Sequence, residues 1–469
     1  MKQSGLTTFA LVMLITGAVD SIRNLPAASL FGSSLIFFFF FAAIVFLLPS
    51  ALVSAELASG CNEKSGIFEW VKNIFGEKWA FLAIWLQWIT NLVWFPTILS
   101  FIAGLIAHII DPVLAQNKFF LVGVILFTFW SLTLMNLKGL RVSAMFTTIC
   151  AMIGMVIPMA LIIGLAALWL IKGNPSNIHF TASNIFPTLS KVNTWVSLTA
   201  IMTAFEGMEL AAVHVKDIRD PQKTFPRALY ISVWIILITM LFGSLSIAIV
   251  LPADQISLVS GVMQAFTSFF HAYHIDWFIP IITIMILVGS LGGIISWVIS
   301  PAKGLLQAAQ LGYLPPFLQK ENEAGVASNL LITQAAIVTC VCVAFLFMPS
   351  VSASYWLLTA LSTQLYMFMY VLMFLAGICT RYKFPAAQRT FTIPGGKFGI
   401  WLVTILGLVG CVITLIVGFF PPAGMNVGGV LHYETIFGCG ILAMILPILF
   451  FYAYKSRKCG TSLAAEPAA

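Results

Sequence analysis

Two stretches carry charge inside otherwise apolar runs: Gly17-Ala18-Val19-Asp20-Ser21-Ile22-Arg23-Asn24-Leu25-Pro26 and Ala204-Phe205-Glu206-Gly207-Met208-Glu209. The first lies in the first apolar segment and the second in the sixth, so they hold matching places in the two halves of the chain. An ionisable group at bilayer depth costs roughly 3 kcal/mol or more and usually lines a cavity or an ion path. Glycine and polar residues at the same places predict that each helix stops and restarts there. One interrupted helix per half points to a midplane binding site between two inverted repeats, the arrangement of a secondary transporter.

The rest of the chain fits a bilayer. Of 469 residues, 60% are hydrophobic and 8% charged, with a mean hydropathy of +1.02. An ordinary soluble protein is about 25% charged. Apolar windows of about 20 residues predict twelve spans, near 6–32, 35–58, 79–110, 119–137, 143–171, 192–214, 226–251, 277–300, 329–348, 353–380, 398–420 and 431–454. Gly261 to Tyr273 predicts a short amphipathic helix on the outer face.

An even number of spans puts both termini on one side. On this map the tails and the loops on their side hold nineteen of the 23 Lys and Arg residues. The opposite loops hold Lys118, Lys172 and Lys191, and Arg23 lies within a helix. Basic loops stay in the cytoplasm, so both termini are expected there, in a bacterial inner (plasma) membrane. The net charge of +7 is this orientation signal. Its dispersal over separate loops argues against a nucleic-acid surface.

The N-terminal apolar run is too long for a cleavable signal. The eight cysteines mostly fall inside apolar segments without a CxxC pair and read as small buried hydrophobes. One transmembrane domain over 1–469 is expected, with helices 1–5 over about 6–171, helices 6–10 over about 192–380, helices 11–12 over about 398–454 and a short tail over 455–469.

Three motifs resemble the amino acid–polyamine–organocation (APC) transporter superfamily. They are the interrupted first segment ending in Leu25-Pro26, the run from Phe205-Glu206-Gly207-Met208-Glu209 to Pro226-Arg227, and the run from Gly289-Ser290-Leu291-Gly292-Gly293 through Ser300-Pro301-Ala302-Lys303-Gly304 to Pro316-Phe317. Trp85 to Pro96 in the third span and Gln364 to Tyr370 in the tenth look most like the glutamate/GABA antiporter branch. The resemblance implies an all-α membrane protein of twelve helices. Helices 1–5 and 6–10 would form a five-plus-five inverted repeat of the LeuT type, with helices 1 and 6 broken. It also implies an amino-acid antiporter, with a glutamate/GABA pair first. That branch carries a long C-terminal plug, and the fifteen residues after Tyr454 are too short for one. Gating by pH is therefore expected from the broken-helix carboxyls.

Half-helix ends offer N–H groups to a carboxylate and carbonyls to an ammonium, which suits an amino-acid zwitterion. The expected substrate-binding set is Asp20, Ser21, Ile22, Arg23, Asn91, Phe205, Glu206, Gly207 and Tyr366. In relatives a Gly-Ser-Gly type run receives the carboxylate, whereas here the aligned positions are Val19-Asp20-Ser21, and Asp20 would repel it. Arg23 has two readings: a bidentate carboxylate receptor, or the structural ion-pair partner of Asp20 or Glu206.

Glu209 sits where relatives carry a glutamate implicated in proton coupling and is assigned that role. A membrane-embedded carboxyl beside a second one is suited to exchanging a proton. Glu206 would meet a substrate amine or Arg23. Asn91 is either a ligand or helix–helix glue, and Phe205 either a gate or plain packing. Tyr366, Tyr370 and Gln364 are candidates to close the site from outside.

Ile294 stands where arginine/agmatine exchangers place a Trp for cation–π stacking. No cofactor and no metal are expected; His271, His274 and Asp276 lack a completing ligand. The partners expected are a small amino acid or amine and the lipid bilayer, and the sequence leaves the oligomeric state open. The rival readings are a cationic amino acid or polyamine exchanger, favoured by three carboxyls against one guanidinium, and a non-transporting amino-acid sensor. An enzyme is disfavoured, since neither a Ser/His set nor HExxH accompanies the Glu pair.

Overall fold

The computed structural model describes residues 8–60, 66–138, 150, 152–188, 190, 192–212, 221–309, 311–323, 326–385, 389 and 391–463. Helix α1 (Thr8–Val19) stops at the first charged stretch. Ser21 is extended, with φ −152° and ψ 121°, a 3-10 turn follows at Ile22–Asn24, and α2 (Leu25–Ser29) resumes the helix. Pro26 suits that restart, because the N–H it lacks would have no helical partner in a first turn.

Helices α3 (Leu35–Ala42) and α4 (Leu48–Ser59) are joined by a π turn at Ala43–Leu47. Then come α5 (Ile67–Phe75), α6 (Glu77–Ile110), α7 (Lys118–Leu137) and, after a π turn at Met152–Val156, α8 (Ile157–Ile171). Helix α9 (Ser197–Phe205) stops at the second charged stretch. Glu206 is extended there, with φ −68° and ψ 146°, and Gly207 turns to φ +108°, a value that favours glycine. Helix α10 (Met208–Ala212) follows.

The remaining helices are α11 (Pro221–Val250), α12 (Gly261–Ala272), α13 (Ile279–Ala309), α14 (Ser328–Val341), α15 (Val351–Lys383), α16 (Gly396–Val417), α17 (Val430–Ile445) and α18 (Pro447–Leu463). Among the described residues, nine helical stretches are long and apolar enough to cross a membrane. The sequence map has twelve. Its first and sixth spans are split into pieces too short to qualify, and the eighth lies in the 31-residue α13.

The eighth span also ends later than expected. Helix α13 continues through Pro301 to Ala309, so Lys303 lies inside a helix rather than at its end. The amphipathic segment is α12, and its apolar face (Val262, Phe266, Phe269, Phe270) is buried in the bundle. His214 and the charged cluster over 216–220 lie outside the described residues.

Helices α6 and α15 are apolar on nearly every side and form the centre. Phe81, Phe95 and Phe101 of α6 and Tyr355, Trp356 and Tyr370 of α15 are all but inaccessible. Helices α17 and α18 leave Leu431 and Phe450 outward, as befits helices whose solvent is lipid. Between the π turn before α8 and α13, Gly154 and Gly289 touch backbone to backbone, so a Cβ added to either would overlap the other's Cα. Neither backbone can give way. Gly289→Val is expected to destabilise the protein by roughly 1–3 kcal/mol, read as a lowered melting temperature in detergent. Gly164→Ala, with nothing within 4 Å of the added carbon, should leave it unchanged or slightly raised.

Candidate substrate site

The two interruptions face one cavity of about 140 Å³. Of the ten residues expected at the site, Asp20, Ser21, Ile22, Arg23, Asn91, Glu206, Gly207 and Tyr366 line it. Trp94 and Thr90 of α6, Thr203 of α9, Ser290 of α13 and the Gly154–Gly289 contact complete the wall.

Arg23 is buried, and its guanidinium is held from one side only. Its Nη1 donates to Thr97 Oγ1 at 3.1 Å and to the Tyr355 hydroxyl at 3.3 Å, and Tyr355 donates in return to the Arg23 carbonyl at 3.2 Å. The guanidinium carbon lies 4.8 Å from the centre of the Trp94 ring. Its Nε has no hydrogen-bond partner. No ion pair joins Arg23 to Asp20 or Glu206: among the described residues such pairs are Glu56–Arg381, Glu77–Lys455 and His271–Asp276. In this structure Arg23 is held by two hydroxyls and the Trp94 ring. Asp20 turns instead toward α11, where Thr239 donates to Oδ2 at 2.8 Å, while Oδ1 is unpartnered.

The second interruption is held by α15. The hydroxyls of Tyr366 and Tyr370 donate to the two oxygens of Glu209, and Gln87 Nε2 approaches Oε1 at 3.5 Å. Tyr370 does double duty, accepting the Gly207 N–H at 2.9 Å. Glu209 thus lies behind the cavity wall, with both oxygens occupied. Glu206 faces the cavity, and its Oε1 has no partner.

Three expectations are corrected. Phe205 does not line the cavity; it is fully buried edge-on to Phe39, with ring centres 5.7 Å apart. Gln364 points away from the site and donates to the Thr414 carbonyl of α16 at 2.7 Å. Tyr370 grips Glu209 and Gly207 rather than closing the cavity. Asn91 does line it, with its Nδ2 turned back on the Gln87 carbonyl at 2.6 Å. Ile294 is buried outside the cavity wall.

Sequence reading missed Thr97, Tyr355 and Thr239, the partners of the buried charges. An isolated hydroxyl in an apolar helix carries no mark of the residue it meets across the bundle. Among the described residues no three His, Cys, Asp or Glu side chains gather as a metal set.

A bundle of membrane-length helices around a polar cavity at two helix interruptions is the architecture of a transporter. Residues 6–452 match the amino acid permease family, and the chain belongs to it. It is 38% identical to an uncharacterized transporter of Legionella pneumophila, over 97% of this chain and 98% of that one. It is 30% identical to a glutamate/gamma-aminobutyrate antiporter of Lactococcus lactis, over 100% of this chain and 94% of the relative. A mutant manganese transporter of Eremococcus coleocola shares the fold, with a TM-score of 0.57 at 14% identity, over 95% of this chain and 94% of that one. The protein is an integral membrane transporter of this superfamily and not an enzyme.

Tyr370→Phe removes a hydroxyl that serves Glu209 and the Gly207 amide together, whereas Tyr366→Phe leaves the amide satisfied. An orphaned buried donor costs about 1–3 kcal/mol. Tyr370→Phe is therefore expected to lower the melting temperature more than Tyr366→Phe, by scanning calorimetry or dye-based unfolding.

Proposed function

We propose that this permease is an antiporter for small amino acids, exchanging glutamate for GABA or a close pair, by alternating access of one central site. One observation carries the reading. Asp20 Oδ1, Arg23 Nε, Thr90 Oγ1 and Glu206 Oε1 are buried polar atoms without partners, and all four belong to residues lining the same cavity. Buried polar atoms are normally hydrogen-bonded, so four exceptions in one wall are offers to a ligand. A guanidinium N–H and carboxylate oxygens together complement a molecule carrying both a carboxylate and an ammonium. The similarity to a glutamate/gamma-aminobutyrate antiporter over the whole chain agrees.

In this reading the chain is one twelve-helix domain with a five-plus-five inverted repeat. Helix 1 is α1 with α2 and helix 6 is α9 with α10, both termini are cytoplasmic, and the membrane is a bacterial inner membrane. Arg23 receives the substrate carboxylate, Glu206 and Asp20 meet the ammonium, and Glu209 is the proton-linked carboxyl, read through Tyr366 and Tyr370. Three carboxyls against one guanidinium also favour the second reading, a cationic amino acid or polyamine exchanger.

Counterflow in proteoliposomes separates them. Loaded with unlabelled glutamate, the vesicles are expected to accumulate labelled glutamate or GABA and not arginine or putrescine; failure there, followed by uptake of arginine or putrescine into vesicles loaded with the same cation, would install the second reading. Arg23→Ala should then impair carboxylated substrates more than bare amines by about tenfold or more, the worth of a charged hydrogen bond. Equal losses would return Arg23 to a structural role. Glu209→Gln is expected to flatten the rate between about pH 5 and pH 7, and an unchanged pH profile would remove the proton role.

A further inference from the structure

Outside the cavity lining, a largely enclosed charge pair ties three segments together. Glu56 of α4 is 3% exposed. Arg381, in the last turn of α15, donates Nε to its Oε1 at 2.6 Å and Nη2 to its Oε2 at 2.7 Å. The same guanidinium donates Nη2 to the Ile393 carbonyl at 2.9 Å and Nη1 to the Gly396 carbonyl, where α16 begins. Glu56 Oε2 also accepts the Ile393 N–H at 2.8 Å, and Ser59 Oγ donates to the Phe391 carbonyl at 2.8 Å. Both oxygens of Glu56 and all three nitrogens of Arg381 are bonded.

Helix α15 also serves both interruptions. Tyr355 holds Arg23, Thr363 meets Thr203 of α9, and Tyr366 and Tyr370 hold Glu209 and Gly207. Arg381 follows Tyr370 by eleven residues, or about 16 Å along one continuous helix. The tyrosine hydroxyls meet their partners only at one axial position of that helix, and the Arg381 end is where it is fastened.

We infer that Glu56–Arg381 is a permanent joint that fixes α15 against α4 throughout transport, and so positions the tyrosines at the two interruptions. Separating the pair would leave a buried carboxylate and a part-buried guanidinium without their counter-charges, a state proteins avoid. The pair is therefore a fastening that stays shut, not a gate that opens each cycle. Glu56 and Arg381 act through α15 and touch no substrate.

Two measurements test this, one with substrate and one without. In proteoliposomes exchanging labelled glutamate, Glu56→Gln and Arg381→Gln are each expected to lower the maximal rate about tenfold or more, since each leaves a largely enclosed charge without its counter-charge. KM should stay within about twofold, because the cavity residues are intact. The conservative Arg381→Lys, which keeps the charge and a donor, should recover part of the rate lost in Arg381→Gln. Wild-type rates in both single variants would overturn the inference, as would a loss expressed only in KM.

The substrate-free measurement places spin labels at Leu48→Cys and Tyr382→Cys, both exposed positions, after replacement of the native cysteines. The distance between them is expected to be a single narrow distribution with or without glutamate, broadening in Glu56→Gln. Two distances in the otherwise unaltered pair would mean that the joint opens and would overturn the inference. If the wild-type protein fails to move glutamate, the substrate reading falls while the distance measurement still decides the joint.

Discussion

A helix that unwinds inside a lipid-embedded bundle leaves peptide groups where no water reaches them, and the whole arrangement of this permease follows from how those groups are met. At the second interruption the answer is a single phenol. Tyr370 takes the Gly207 N–H and gives its own proton to Glu209, so the exposed backbone and a buried carboxyl are settled by one side chain. At the first, Tyr355 gives its proton to the Arg23 carbonyl and receives the Arg23 guanidinium. Both tyrosines stand on α15, which makes that helix the common support of two breaks far apart in sequence.

The buried charges divide by the same criterion. Glu209 has both oxygens occupied, Asp20 has one occupied by Thr239, and Glu206 has an unpartnered oxygen toward the cavity. Arg23 is fastened through Nη1 with Nε to spare. Groups whose bonding capacity is filled from within serve the architecture; those with capacity left over face the cavity. The gradient runs from Glu209, behind the wall, to Glu206 on it. A carboxyl gripped by two phenols can therefore report on α15 without itself touching what is carried.

The interruptions were plain in the sequence because charge, glycine and a following proline are rare inside apolar runs, and each has a direct backbone consequence. Six expected residues, Asp20, Ser21, Ile22, Arg23, Glu206 and Gly207, reach the cavity for that reason, while Asn91 and Tyr366 reach it from the unbroken helices α6 and α15. Phe205 misled because an aromatic beside a break looks the same whether it faces the opening or, as here, the ring of Phe39. Gln364 misled likewise, its amide being spent on a carbonyl of α16. Glu56 drew no notice at all. A lone glutamate at the end of an apolar segment gives no hint that an arginine more than 300 positions later will come to meet it. Side-chain partners across a bundle depend on how helices stack, and periodicity along one helix does not encode that.

The contact between Gly154 and Gly289 has a consequence for how such a carrier diversifies. Both glycines line the cavity, and neither tolerates a Cβ against the other's backbone. At the contact itself the compartment has no side chains with which to sculpt a new shape, and Met155 and Ser290 stand beside it. Descendants of this sequence that came to carry bulkier or differently charged molecules would have to change the lining elsewhere, at Asn91, Trp94 and Ile98 of α6 or at the charged residues of the interruptions. The glycine contact would be inherited as fixed masonry, and the selectivity of the lineage would be written on the side chains of α6 and of the two interruptions.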